Sequence, residues 1–187
     1  VSDQQPLDNP DTGLINATQS QTINWGDVFR IAITSLTPAL EVGQVSAAQT
    51  VQLQNSYGLG QPAPAATTLY LSTSNAEGGF ATTSTGPFTA NQLTIPAGQT
   101  TGTYYYRQLA TGTAQLRISE TAPANGPINW LDAEQTIEVV AGEPHRIIVG
   151  YAPETVIAKH PSTEINVQIY NSSGYPTTDH EGIRLYL

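Results

Sequence analysis

Val51-Gln52-Leu53-Gln54-Asn55-Ser56-Tyr57-Gly58 alternates aliphatic and amide side chains, then breaks into Asn-Ser-Tyr-Gly. Strict alternation marks a half-buried β-strand, because successive side chains point to opposite faces of a sheet. Asn and Gly then supply the turn that ends it. The same pattern returns as Val167-Gln168-Ile169-Tyr170-Asn171-Ser172-Ser173-Gly174. Working outward, Arg30-Ile31-Ala32-Ile33 lines up with Arg146-Ile147-Ile148-Val149, and Leu69-Tyr70-Leu71 with Leu185-Tyr186-Leu187. The offset is 116 residues in all three pairs (30 to 146, 51 to 167, 69 to 185). One aligned triplet arises by chance among β-rich segments; three at a single offset indicate a repeat. A period this long suits a string of independently folding domains rather than a solenoid.

The N-terminal stretch follows the same scheme. Gly13-Leu14-Ile15-Asn16 resembles Gly126-Pro127-Ile128-Asn129, and Gln21-Thr22-Ile23 resembles Gln135-Thr136-Ile137. Gly26-Asp27 matches Gly142-Glu143. The expected organisation is therefore the end of one repeat over 1–27, a complete repeat over 28–144, and the first part of another over 145–187. An apolar finish on Leu185-Tyr186-Leu187 reads as core strand, so a stretch of a longer chain is expected.

Within 28–144 the alternation predicts strands over 29–33, 51–54, 69–72, 79–83, 92–95, 101–107, 113–119 and 135–140. Punctuation separates them: Tyr57-Gly58-Leu59-Gly60, Gln61-Pro62-Ala63-Pro64, Gly78-Gly79, Pro96-Ala97-Gly98 and Thr111-Gly112. No stretch has convincing helical spacing. Short strands with turn signals every ten or so residues indicate an all-β fold, an antiparallel immunoglobulin-like sandwich repeated in tandem. Alternation puts Tyr104 and Tyr106 on one face of their strand and Tyr105 on the other. Ala114, Leu116 and Ile118 likewise oppose Gln115, Arg117 and Ser119.

Composition narrows the function. Lys and Arg number 6 against 15 Asp and Glu, giving a net charge of −9. That balance repels phosphate backbones and anionic headgroups, which argues against nucleic acid and membrane surfaces as partners. Only 11% of residues are charged while 39% are hydrophobic, enough apolar material for a core. There is no Cys, so disulfides, thiolate metal sites and cysteine nucleophiles are excluded together. No apolar run reaches the roughly 18 residues of a membrane span.

Val51-Gln52-Leu53-Gln54-Asn55-Ser56-Tyr57-Gly58, then Leu69-Tyr70-Leu71-Ser72-Thr73, then Leu93-Thr94-Ile95-Pro96-Ala97-Gly98-Gln99-Thr100 follow one another in an order that resembles bacterial surface Ig-like repeats. Tyr104-Tyr105-Tyr106-Arg107 and Ala110-Thr111-Gly112-Thr113-Ala114 extend it. Invasin- and intimin-type Big domains and the stalks of S-layer proteins and adhesins share this grammar. The resemblance covers 28–144 and the start of the next unit. It implies an extracellular, cell-surface rod, layer or filament whose partners are copies of itself or other surface proteins.

Catalytic chemistry is hard to assemble. Residues 28–144 contain no His and no Cys, so Ser-His-Asp and Cys-His arrangements have no base there. His145, His160 and His180 all follow, and His180, between Asp179 and Glu181, reads as a solvated loop residue. Glu41, Glu77 and Glu120 are scattered. Lys159 is the sole lysine, so 28–144 cannot form a Lys–Asn isopeptide bond. No enzymatic activity and no obligatory cofactor are expected.

Weaker candidates remain. Asp8 and Asp11 in Asp8-Asn9-Pro10-Asp11-Thr12-Gly13, and Asp132, Glu134 and Glu143 near a domain junction, offer hard oxygen donors for calcium; the alternative is carboxylates satisfying their own turns. Asn16 and Asn171 head Asn-x-Ser/Thr triplets and are candidate glycosylation sites. Trp25 and Trp130 lie near junctions, where packing between domains is the expected role. Phe29 and Ile31 belong to an alternating segment able to add an edge strand in trans. The alternative function is a carbohydrate-binding or accessory module of a secreted enzyme, with Tyr105 and Trp130 on its glycan surface.

Overall fold

The computed structural model describes residues 26–35, 39–122, 129–151, 155, 157–160 and 165–177. These form eleven strands and no helix: β1 (Arg30–Ile33), β2 (Leu40–Glu41), β3 (Gln49–Gln54), β4 (Thr67–Thr73), β5 (Gly78–Ala81), β6 (Gln92–Ile95), β7 (Thr101–Gln108), β8 (Gly112–Ser119), β9 (Ala133–Val140), β10 (Arg146–Tyr151) and β11 (Asn166–Tyr170). No helix among the described residues is long and apolar enough to cross a membrane. Alternation located nearly all of the strands. It missed β2, whose two residues are too few to show a period.

Strands β1 to β9 build a β-sandwich. One sheet runs β1-β3-β7-β5 and the other β2-β9-β8-β4-β6. All named pairings in it are antiparallel except β2 with β9. Their inner faces meet in one cluster that includes Val51, Leu53, Tyr104 and Tyr106 from the first sheet and Leu69, Ile95, Leu116 and Ile118 from the second, each fully buried. Each such aliphatic side chain stabilises the fold by roughly 1.5–3 kcal/mol before entropy costs. With no disulfide available, the core alone holds the sheets together.

The outer edge of β1 is covered. Ile31 N–H donates to the Leu131 carbonyl at 2.9 Å and Leu131 N–H to the Phe29 carbonyl at 3.1 Å. The expectation that Phe29 and Ile31 form an edge open to a strand in trans is therefore corrected: Leu131 already occupies that edge. Ile31 is also 2% exposed and belongs to the core, which leaves only Phe29 at the surface.

β10 and β11 form a separate antiparallel pair that copies β1 and β3. Arg30 faces Gln54, Ile31 faces Leu53 and Ile33 faces Val51; Arg146 faces Tyr170, Ile147 faces Ile169 and Val149 faces Val167. Each partner is displaced by the same 116 positions. Isolated bridges repeat too, Gln54 with Gly60 and Tyr170 with Pro176, and Gly58 and Gly174 share φ of 81°. Ile147 is 45% exposed where Ile31 is 2%, because among the described residues no second sheet covers β10 and β11.

Two core tyrosines differ in one respect. Tyr106 Oη donates to Gln108 Oε1 at 2.7 Å and lies 3.2 Å from Thr73 Oγ1. Tyr104 Oη is buried without a partner. Burial raises the Tyr104 hydroxyl well above its ordinary value near 10. It raises Tyr106 as well, against a hydrogen bond from Thr73 that works the other way. An unpaired buried hydroxyl costs about 1–3 kcal/mol, whereas a satisfied one contributes about 1 kcal/mol. Tyr104→Phe is therefore expected to raise unfolding free energy by about 1 kcal/mol and Tyr106→Phe to lower it by a similar amount, read from urea denaturation. Both folded values lie above the unfolded one, so stability present below pH 10 falls as pH rises beyond it. Tyr104→Phe should move the alkaline unfolding midpoint upward; a midpoint that does not move contradicts the assignment.

Candidate functional site at the joint

Beyond β11 the chain turns through Asn171, and this turn meets the bottom of the sandwich. The side chain of Asn171 bonds on both sides. Its Nδ2 donates to the Val42 carbonyl and to the Ala141 carbonyl, each at 3.0 Å. Its Oδ1 accepts from Ser173 N–H at 3.0 Å and Tyr175 N–H at 2.9 Å. Thr177 Oγ1 adds a 2.6 Å bond to the Gly142 carbonyl. Both Asn171 and Thr177 are buried, at 1% and 5% exposure. The carbonyls they reach follow β2 and β9, which run parallel here and so end together.

Two glycines make the approach feasible. Gly43 has φ of +79°, and a Cβ built on it would sit 2.1 Å from the Tyr175 ring. Gly142 has φ of +83°, and a Cβ there would come within 2.9 Å of Asn171 Nδ2. Any other residue at either place would strain the backbone and push the turn away. Arg146 lies 5.4 Å from the Tyr170 ring centroid and secures the hairpin beside the joint.

The residues singled out from sequence fall as follows. Asn171, expected as a sugar acceptor, is instead a buried element of the joint; a glycan on Nδ2 would displace both of its bonds to the sandwich. Asp132 forms an ion pair with Arg117, the Arg117 Nε bond being 2.7 Å. Glu134 accepts from Gln115 Nε2 at 3.0 Å, and Glu143 is exposed. Asp132, Glu134 and Glu143 thus do not converge, and no group of three His, Cys, Asp or Glu gathers among the described residues. Asp8, Asp11, Asn16 and Trp25 lie outside the described residues. Trp130 is partly buried against the core and its backbone N–H donates to Glu120 Oε1 at 2.7 Å. It borders an open groove of about 690 Å³ with Gly26, Pro62, Pro64 and Gly98, at the opposite pole from Asn171. Tyr105 is not part of that groove's lining.

The bonds across the joint come from Asn171 and Thr177, and the Tyr175 ring packs beside Gly43; the sequence reading associated none of the three with the joint. The repeated Asn-Ser-x-Gly was the available signal for the turn. Its partner across the joint, Val42, lies 129 residues away, and no local pattern announces that pairing.

Comparison with known proteins finds only weak likenesses. No family model matches the chain, and no curated protein does. Domains 5–6 of the S-layer protein SbsC align over 82% of this chain and 67% of theirs, at 18% identity and a TM-score of 0.41. SbsC domains 4 and 5 align over 62% and 46%, at 18% identity and 0.39. A glycosyl hydrolase family 2 member from Bacteroides cellulosilyticus aligns over 61% of this chain and 14% of its own, at 18% identity and 0.40. Likenesses of this size assign no function.

Three substitutions isolate the joint. Asn171→Ala removes two bonds across it and is expected to weaken docking by about 1–3 kcal/mol. Gly43→Ala adds about 1–2 kcal/mol of backbone strain and displaces the Tyr175 ring. Both should shorten the effective rotational correlation time of amides in 145–177 relative to those in 28–144, measured by nitrogen-15 relaxation. Asn55→Ala, the counterpart 116 residues earlier, should leave that ratio unchanged. Equal ratios in all three variants would dismiss the joint as a stiffening device.

Proposed function

We propose that this chain is part of an extracellular structural protein, built of tandem immunoglobulin-like sandwiches, that sets distance and direction at a microbial cell surface. The observation that carries the proposal is the joint. A buried side-chain clasp with two glycine-enforced contacts suits a spacer that must transmit length, and a solitary soluble catalyst has no evident use for it. The proposal assigns the chain no catalytic role and no cofactor.

Three further observations support it. The hairpin of β10 and β11 repeats β1 and β3 register for register at an offset of 116, which fits repeats bounded near 27 and 144. With β2 and β6 as additions, β1, β3, β7 and β5 make an A-B-E-D sheet, and β9, β8 and β4 a G-F-C sheet. That is the partition of a constant-type immunoglobulin domain. The acidic, lysine-poor composition suits an exposed, weakly sticky surface, with copies of the same protein or other surface proteins as neighbours.

The second reading, a carbohydrate-binding or accessory module, is favoured by one feature: the groove beside Trp130, since an indole face suits a sugar ring. A glycan array separates the readings. The spacer reading expects no saturable binding; binding abolished by Trp130→Ala, in a variant whose melting transition is retained, would favour the module. Electron microscopy of the full-length protein on cells should show straight rods or a regular layer. Freely bent, bead-like chains would contradict the spacer reading.

A further inference from the structure

Both outer edges of the first sheet are capped. Leu131 bonds to β1, and Ala90 N–H donates to the Phe80 carbonyl of β5 at 2.9 Å. In the second sheet β2 is only two residues long, which leaves β6 as the edge able to take a strand. β6 pairs with β4, Leu93 facing Leu69 and Thr94 facing Thr68. Leu71 N–H donates to the Asn91 carbonyl at 2.9 Å, and hydrogen bonding alternates along an antiparallel ladder. Leu93 and Ile95 therefore bond to β4, whereas the N–H and carbonyl groups of Gln92 and Thr94 point away from it. No described residue pairs with that outer side.

We infer that β6 pairs with β6 of a second copy of this chain, antiparallel across a two-fold axis at Leu93, joining two sheets edge to edge. The register is self-complementary. With Leu93 on the axis, Gln92 lies opposite Thr94 of the other copy, and each such pair exchanges two hydrogen bonds. Every outward group of Gln92 and Thr94 on both strands is then used. Ala90 and Pro96 bound the open stretch, because Phe80 already takes the Ala90 N–H and proline has none. Within β6 nothing guards against pairing: it carries no charge, no proline and no bulge. Gln92 and Thr94 are exposed while Leu93 and Ile95 are buried, so the apolar faces of both copies stay on the inner side. The solvent-facing side chains here are Gln92 and Thr94 with Tyr70 and Thr68 opposite them. All are uncharged in a chain of net charge −9, and two copies meet on this strip without opposing like charges. The inference gives a form to the copy-to-copy contact proposed above and rests on that reading for its purpose; its geometry needs the sandwich alone.

Sedimentation equilibrium of the full 187-residue chain at concentrations up to about 1 mM tests it, with amide hydrogen exchange alongside. The natural chain should pass from monomer to dimer as concentration rises. Exchange at Gln92 and Thr94 should slow in step, while Leu93, already bonded to β4, should not change. Gln92→Lys with Thr94→Lys sets like charges opposite each other and should abolish the dimer. Gln92→Lys with Thr94→Glu sets opposite charges across the same axis and should keep it. Both variants change exposed side chains, and an unchanged melting transition verifies that each is folded. A natural chain that stays monomeric overturns the inference. So does a dimer that survives the double-lysine change, which would place the contact elsewhere, as on the exposed Ile147 and Val149. Loss of the dimer in both variants overturns the two-fold register. A monomeric chain whose full-length protein still forms straight rods on cells would strike this inference and leave the spacer reading standing.

Discussion

The Asn171 side-chain amide, with the Thr177 hydroxyl beside it, bonds the β10–β11 hairpin to the sandwich. Asn171 presents two N–H donors and one carbonyl, and all are engaged: the donors with two carbonyls of the sandwich, the carbonyl with two N–H groups of its own turn. A buried amide that lost either set would leave polar groups unsatisfied away from water, which costs more than each bond contributes when made. The turn and the joint are therefore coupled through one residue. Neither is free to rearrange while the other stays.

The sandwich that receives this contact must itself be firm. It lacks any disulfide, and its sheets are held by alternating apolar side chains with two tyrosines, both packed on Phe80, at the centre. Tyr106 joins Thr73 and Gln108 in a satisfied polar chain, whereas Tyr104 leaves its hydroxyl unpaired. The core is thus stable with some reserve unused, which is common where selection asks only for enough stability. Parallel pairing of β2 with β9 brings two strand ends to the same pole, and it is those ends that offer Asn171 its carbonyls. Fold and joint meet at that detail.

Much of the fold was legible in the residues. Val51-Gln52-Leu53 and Ala114-Gln115-Leu116-Arg117-Ile118 alternate so cleanly that strand, face and burial all follow from side-chain direction alone. The matching pairings of β1 with β3 and of β10 with β11 were legible because the same sequence spacing returns 116 residues later. What escaped was everything that depends on residues distant in the chain. Ile31 and Phe29 read as an open edge because nothing local shows Leu131 closing it. Asn171 read as a sugar acceptor because its triplet is local and its burial is not. Asp132 and Glu134 read as metal donors, while Arg117 and Gln115, on the neighbouring strand, already engage them.

With Asn171 and Thr177 bonded to the sandwich, residues on either side of Gly142 are expected to move as one body. Residual dipolar couplings collected on the natural chain in one weak alignment medium test it most directly. Couplings from amides in 28–144 and from those in β10 and β11 should fit one alignment tensor with equal order. Two tensors, with the order of β10 and β11 markedly reduced, would show a hinge where this account requires a clasp.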